Sequence, residues 1–144
     1  MTKVNQQDFE WALEWLSSGY GSEAYIFRTT GKILWILEGR AVDPELELPD
    51  DIGDPDKYFA VPAKYELDLG VPLVMDFVYE MLPREVETVR EMFRSRGAYG
   101  RFKALLERKG MLQQWYDYES RCTHDALQQW CMDHGLELVS TSSE

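Results

Sequence analysis

Residues 90–118 read REMFRSRGAYGRFKALLERKGMLQQWYDY, with Gly97 and Gly110 as punctuation. Between the two glycines, Tyr99, Phe102, Leu105 and Leu106 recur at helical spacing, which predicts a helix over 98–109. Arg108 and Lys109 sit in its last turn, where the helix dipole is negative, and Gly110 supplies a left-handed stop. Upstream, PREVETVREMFRSR starts at Pro83 and lines up Val86, Val89, Met92 and Phe93, so a helix should run to Gly97. Downstream, Leu112, Trp115, Cys122, Ala126, Leu127 and Trp130 mark a long helical segment ended by Gly135, with Ser120 or Thr123 as a point where it breaks. The second half of the chain is therefore read as a helical bundle.

The pattern changes on moving outward. The helix before Pro83 carries Leu73, Phe77, Val78 and Met81 inward, with Asp68 as its cap and Pro72 in its first turn. Residues 57–61 read as a short strand ended by Pro62. SEAYIFRTTGKILWIL holds two β-prone runs about Gly31, giving strands at 23–29 and 32–38. Ile33, Trp35 and Leu37 fall on one face of the second, and Leu34 and Ile36 on the other, so both faces should be covered. Residues 6–18 form an amphipathic helix through Phe9, Ala12, Leu13 and Leu16. Leu136–Val139 reads as a short tail strand, and 141–144 as a frayed end. The expected fold is α+β: an antiparallel sheet of about three strands within 23–61, packed against a C-terminal helical bundle over 68–134. A length of 144 residues suits one domain, 1–144.

Charge narrows the function classes. The net charge is -11, with -10 carried by residues 1–80 and -1 by the remainder. An acidic body repels nucleic acid and anionic membranes and attracts a basic protein. The opening MTKVNQQDFEW has no apolar core of a signal peptide, and no run approaches the ~18 apolar residues of a membrane span. A cytoplasmic protein is expected. Cys122 and Cys131 are nine positions apart, which places their Cα atoms about 13 Å apart on one helix. A disulfide needs less than about 7 Å, so two free thiols are expected.

Two charged segments are candidate surfaces. Between Gly39 and Lys57, three prolines exclude regular structure and seven acids accumulate: Asp43, Glu45, Glu47, Asp50, Asp51, Asp54 and Asp56. A calcium loop needs alternate oxygen ligands, then Gly at the sixth and Glu at the twelfth position, and that register fails from Asp50 or Asp51. A face for a basic partner, or a merely solvated loop, remains. The other segment, 90–109, carries a local charge of +5. Arg96, Gly97, Arg101 and Lys103 are anion-site candidates, because Gly97 lets backbone come close and the free N–H groups of a helix start point outward. The competing reading pairs Arg96 and Arg101 with acids of the first half. Trp115 and Tyr116 are either core aromatics or a stacking platform. His124, Asp125, Cys131 and His134 make a loose metal set only if the segment folds back, whereas His134 suits a helix end. No nucleophile elbow, phosphate loop, dinucleotide fingerprint or HExxH occurs, so neither a catalytic residue nor a cofactor is nominated.

Two blocks also carry a resemblance. They are YFAVPAKYELDLGVPLVMDFVYEML from Tyr58 and RSRGAYGRFKALLERKGMLQQWYDYESRCTHDALQQWCMDHGLEL from Arg94. Arg96-Gly97-Ala98-Tyr99, Arg101-Phe102-Lys103, Trp115-Tyr116 and Trp130 through Gly135 occur in the order seen in uncharacterised protein family 158, a group of small bacterial proteins. The chain resembles that family over about residues 57–139. Tyr99 and Gly100 depart from its commoner phenylalanine and basic residue. The resemblance implies a shared fold unit and no established activity. A non-catalytic protein-binding module, of the kind an antitoxin or immunity protein provides, is the leading expectation. A small-anion or nucleotide binder is next, and an enzyme is the least supported.

Overall fold

The computed structural model describes residues 1–19 and 21–140. Residues 141–144, expected to fray, lie outside the described residues. The chain divides into two units, Met1–Lys64 with His124–Glu144, and Tyr65–Thr123.

In the first unit, strand β1 (Thr2–Asn5) leads directly into helix α1 (Gln6–Ser17). Asn5 is extended and its Oδ1 accepts from the Asp8 amide at 2.9 Å, which satisfies one of the open donors of the first turn. Phe9, Ala12 and Leu13 are buried, as their spacing requires. Trp15 lies half-buried on the next strip. Its Nε1–H donates to the Glu23 carbonyl at 2.9 Å, and its ring meets Trp35 edge-on at 6.2 Å.

Strands β2 (Ser22–Phe27) and β3 (Ile33–Leu37) form the expected hairpin, each shorter than the sequence reading. Gly31 turns it with φ 76°, and its amide donates to the Phe27 carbonyl at 2.8 Å. Only glycine fits there. A Cβ would stand 1.8 Å from the Lys3 carbonyl oxygen. Ala24, Ile26, Leu34 and Ile36 point to the buried side. The opposite face of β3 is half-covered by Trp15, while Leu37 is exposed.

The sheet has four antiparallel strands where about three were expected, in the order β4-β3-β2-β5. The addition is β4 (Arg40–Ala41), two residues that follow a left-handed turn at Glu38 and Gly39. β5 (Tyr58–Ala60), within the strand read at 57–61, joins the free side of β2. Strand β6 (Leu136–Val139) pairs in parallel with β1 in a separate two-stranded sheet. The tail strand was foreseen and its partner was not, because TKVN holds a single apolar residue and shows no alternation.

The second unit begins with a short 3-10 turn at Lys64–Leu67 and continues with α2 (Val71–Met81). Asp68 does not cap this helix. It adopts φ 57° as the chain turns, and the helix starts later, with Gly70 as N-cap and no side-chain cap bond. Pro72 does lie in the first turn. Another 3-10 turn at Pro83–Glu85 precedes α3 (Val86–Met92). Gly97, at φ 74°, ends the linking turn and is the N-cap of α4 (Ala98–Arg108). Gly110, at φ 70°, leads to α5 (Leu112–Asp133). That helix runs unbroken through Ser120 and Thr123. Both side chains tolerate a helix interior, so the helical register of their apolar neighbours prevails.

Aromatic rings fill this unit. Trp115 is 1% exposed and contacts Phe77, Tyr99, Phe102 and Tyr118 at centroid distances of 5.1–6.3 Å. Leu73, Val74, Val78, Val89, Leu105 and Leu106 complete the core. The molecule is thus α+β, with strands early in the chain and helices dominating after residue 64.

Candidate binding surfaces

The acidic segment is a succession of turns. Asp43 and Asp54 each accept the amide two residues on, from Glu45 and Asp56, at 2.9 Å. Backbone bonds from Leu46 to Asp43, Ile52 to Pro49 and Asp54 to Asp51 fold the rest. Proline explains this local order, since it restricts the chain and removes competing donors. Of the seven acids, Asp51 has a cationic partner. It accepts from Lys57 Nζ at 2.8 Å and from Tyr58 Oη at 3.0 Å. Those two hydrogen bonds hold its carboxyl below the usual range, and the same pair raises Lys57. Asp43, Glu45, Glu47, Asp50 and Asp56 are exposed, and none forms an ion pair among the described residues. Val42 and Leu46, about half exposed, stand among them.

The basic strip diverges. Arg96 is exposed and forms no hydrogen bond or ion pair among the described residues. Arg101 folds back across Gly97, with its Nη2 donating to the Met92 carbonyl at 3.2 Å and its Nη1 3.3 Å from where a Gly97 Cβ would lie. Lys103 lies two residues along α4, about 200° around the helix. Its ammonium sits 5.0 Å from the Tyr99 ring centre and 5.7 Å from that of Tyr116. The structure therefore brings Arg101 over Gly97, leaves Arg96 exposed beside them in the chain, and sends Lys103 to an aromatic surface. A groove of about 570 Å³ runs past Thr88, Ser95 and Arg101 between α3 and α4.

Trp115 and Tyr116 also separate. The buried Trp115 Nε1–H donates to Tyr99 Oη at 3.1 Å, which donates to Glu119 at 2.7 Å. Tyr116 is 40% exposed. Adjacent positions on a helix face different ways, so one ring enters the core and the other covers Lys103.

The chain is similar to UPF0158 protein PA5073 of Pseudomonas aeruginosa. The two are 29% identical over 126 residues, which is 85% of this chain and 80% of that protein. The resemblance to an uncharacterised protein family, drawn from Arg96–Lys103 and Trp115–Gly135, is borne out. No family model matches the chain, and no solved structure matches it.

The remaining reactive groups are engaged locally. His134 Nδ1 lies 2.7 Å from the Trp130 carbonyl, an acceptor, so this nitrogen carries the proton. Its ring stacks on Trp130 at 4.0 Å, with Phe59 edge-on at 5.1 Å. His124 Nδ1 lies 3.1 Å from Gln6 Oε1. Among the described residues no group of three or more His, Cys, Asp or Glu side chains is placed to hold a metal. Cys122 and Cys131 are free, and burial pushes the Cys131 thiol up to about 11. Among the described residues no helix is long and apolar enough to cross a membrane.

The sequence missed the face where α2 meets α5. A hollow of about 260 Å³ there is lined by Phe77, Glu80, Met81, Asp117, Tyr118 and Arg121, with Gln114 at its side. The signal was present as helical spacing: 77, 80 and 81 on one helix, and 114, 117, 118 and 121 on the other. Which two faces meet is a tertiary fact.

Proposed function

We propose that the protein is a non-catalytic, cytoplasmic binding module that engages a basic protein partner through the 43–56 loop. The observation that carries this reading is the exposure of five carboxylates without cations, on a loop whose turns are already made. A preformed surface loses less conformational freedom on binding than a disordered tail. Its negative field would speed encounter with a positive partner, and Val42 and Leu46 offer apolar area beside the charge. Sequestering a basic protein, as an antitoxin or immunity protein does, is the role that suits such a surface.

Affinity capture from a bacterial lysate tests it, with the wild type beside D43N/E45Q/E47Q/D50N. The expected result is a basic protein held by the wild type at low salt and lost both at high salt and by the variant. Identical capture by both forms at either salt would count against the loop.

A second reading rests on Arg101, folded over Gly97 at the α3–α4 groove, with the exposed Arg96 next to Gly97 in the chain. Arg101 and the Thr88 and Ser95 hydroxyls suit a small phosphate-type anion or nucleotide, and the Glu91 carboxylate that also lines the groove is paired with Arg94 at 3.1 Å. Inorganic phosphate and nucleotides should then raise the melting temperature of the wild type and leave R96A/R101A unmoved, because ligand binding to the native state stabilises it. No shift with any of them removes this reading.

A further inference from the structure

We infer that the α2–α5 hollow, together with a second hollow beyond Met81, is a docking groove for an arginine- or lysine-bearing peptide segment of a partner. This rests on the reading of the protein as a binding module, and not on the acidic loop.

The first hollow combines an aromatic wall with negative charge. Phe77 and Tyr118 are 5.2 Å apart, and Tyr118 stacks against Trp115 at 6.3 Å. The Arg121 guanidinium lies 5.6 Å from the Tyr118 ring centre, so an incoming cation must displace it from that face. Glu80 and Asp117 line the hollow, and Asp76 stands near. All three are exposed, and none forms an ion pair among the described residues. Against the single positive charge of Arg121 they leave a net negative rim. The Tyr118 phenol senses it. Burial raises its pKa first, with Cys122, Asp76 and Glu80 adding to the rise.

The second hollow, about 230 Å³, shares Met81 with the first and is lined by Leu82 and Pro83 together with Arg84, Glu85 and Lys109, the last two paired at 3.4 Å. Met81 is 41% exposed although the α2 pattern directs it inward. A flexible thioether between two hollows adapts to different side chains. One hollow suits an alkyl-ammonium or guanidinium group, and its neighbour an apolar side chain. A basic residue followed by an apolar one satisfies both.

The test labels the methionine methyl groups with carbon-13 and titrates acetyl-Arg-Leu-amide, with acetyl-Glu-Leu-amide and agmatine as comparisons. The expected result is a saturable shift of the Met81 methyl with the Arg-Leu dipeptide, weaker with agmatine and absent with the Glu-Leu dipeptide. E80Q/D117N should weaken the dipeptide about ten-fold, the weight of one charge-assisted hydrogen bond. Both carboxylates are exposed, so an unchanged melting temperature will show that this variant is folded. D43N/E45Q/E47Q/D50N should bind the dipeptide as the wild type does, which separates this groove from the loop. An unmoved Met81 methyl, equal response to Glu-Leu, or full binding by E80Q/D117N overturns the groove. Agmatine matching the dipeptide overturns the peptide assignment in favour of a free organic cation.

Discussion

At Gly31 two constraints coincide. The backbone is left-handed, and the Lys3 carbonyl occupies the place of a side chain. Gly39 has a similar φ of 81° with open space around it. The pair therefore separates backbone strain from collision. Gly39→Ala should cost only the left-handed term, about 1–2 kcal/mol. Gly31→Ala should cost more than about 3 kcal/mol, because overpacking strain adds to that term. Urea midpoints at unchanged slope will measure both. Equal losses would mean that β1 simply moves aside. The sequence marked Gly31 as a turn residue, since it lies between two β-prone runs and can take a positive φ. It could not mark the close approach, which depends on a strand that TKVN does not advertise. The same limit applied to the charged residues. The seven loop acids look alike in sequence, and the fold singles out Asp51 because Lys57 and Tyr58 return to it at the start of β5. For Lys103 the divergence from Arg101 was already legible as a two-residue step on a helix.

At the scale of elements, glycine punctuation guided the starts and stops of α4 and α5, whereas α3, read as running to Gly97, ends at Met92. Gly97, Gly110 and Gly135 bound α4 and α5 close to where they were read. Polar residues inside α5 were a poor guide, since a serine or threonine penalty of a few tenths of a kcal/mol yields readily to packing. Ser120→Pro discriminates between the two readings. In a continuous helix it removes a hydrogen bond and clashes with the preceding turn, for a loss of about 3 kcal/mol or more. At a genuine break it would be nearly silent. Circular dichroism and thermal melting of the variant give the answer, and an unchanged melting temperature would refute the unbroken helix. The caps teach a related lesson. Asn5 is a cap because the strand before it leaves the chain extended, whereas Asp68 is not, because the chain has already turned at that residue. Residue type proposes a cap and the path of the chain disposes of it.

At the scale of the whole molecule, charge is the dominant sequence-level fact, and the Asp51–Lys57 pair gives it a pH signature. The folded Asp51 carboxyl is held below its ordinary value of 3.8, so its contribution is present above that pH and is lost as pH falls through the lower folded value. Lys57 is raised above 10.5, so its contribution is present below that pH and is lost as pH climbs through the folded value. Both side chains are solvent-accessible, so the effect is small and salt-sensitive. Asp51→Asn should lower the melting temperature by a constant small amount near neutrality. The gap from the wild type should close in acid, as pH falls through the folded value, and narrow in salt. A gap that persists undiminished in strong acid would show that Asp51 acts through shape and not charge.

The parallel pairing of β1 with β6 sets a schedule for synthesis. A ribosome releases Thr2–Asn5 well over a hundred residues before Leu136–Val139 can reach them. Until then Val4, fully enclosed in the finished protein, has no mate and α1 lacks its anchored entry. Long-range pairing of this kind is slow to close. The nascent polypeptide must therefore carry an unsatisfied strand until β6 emerges, and the first unit is complete only when that strand arrives.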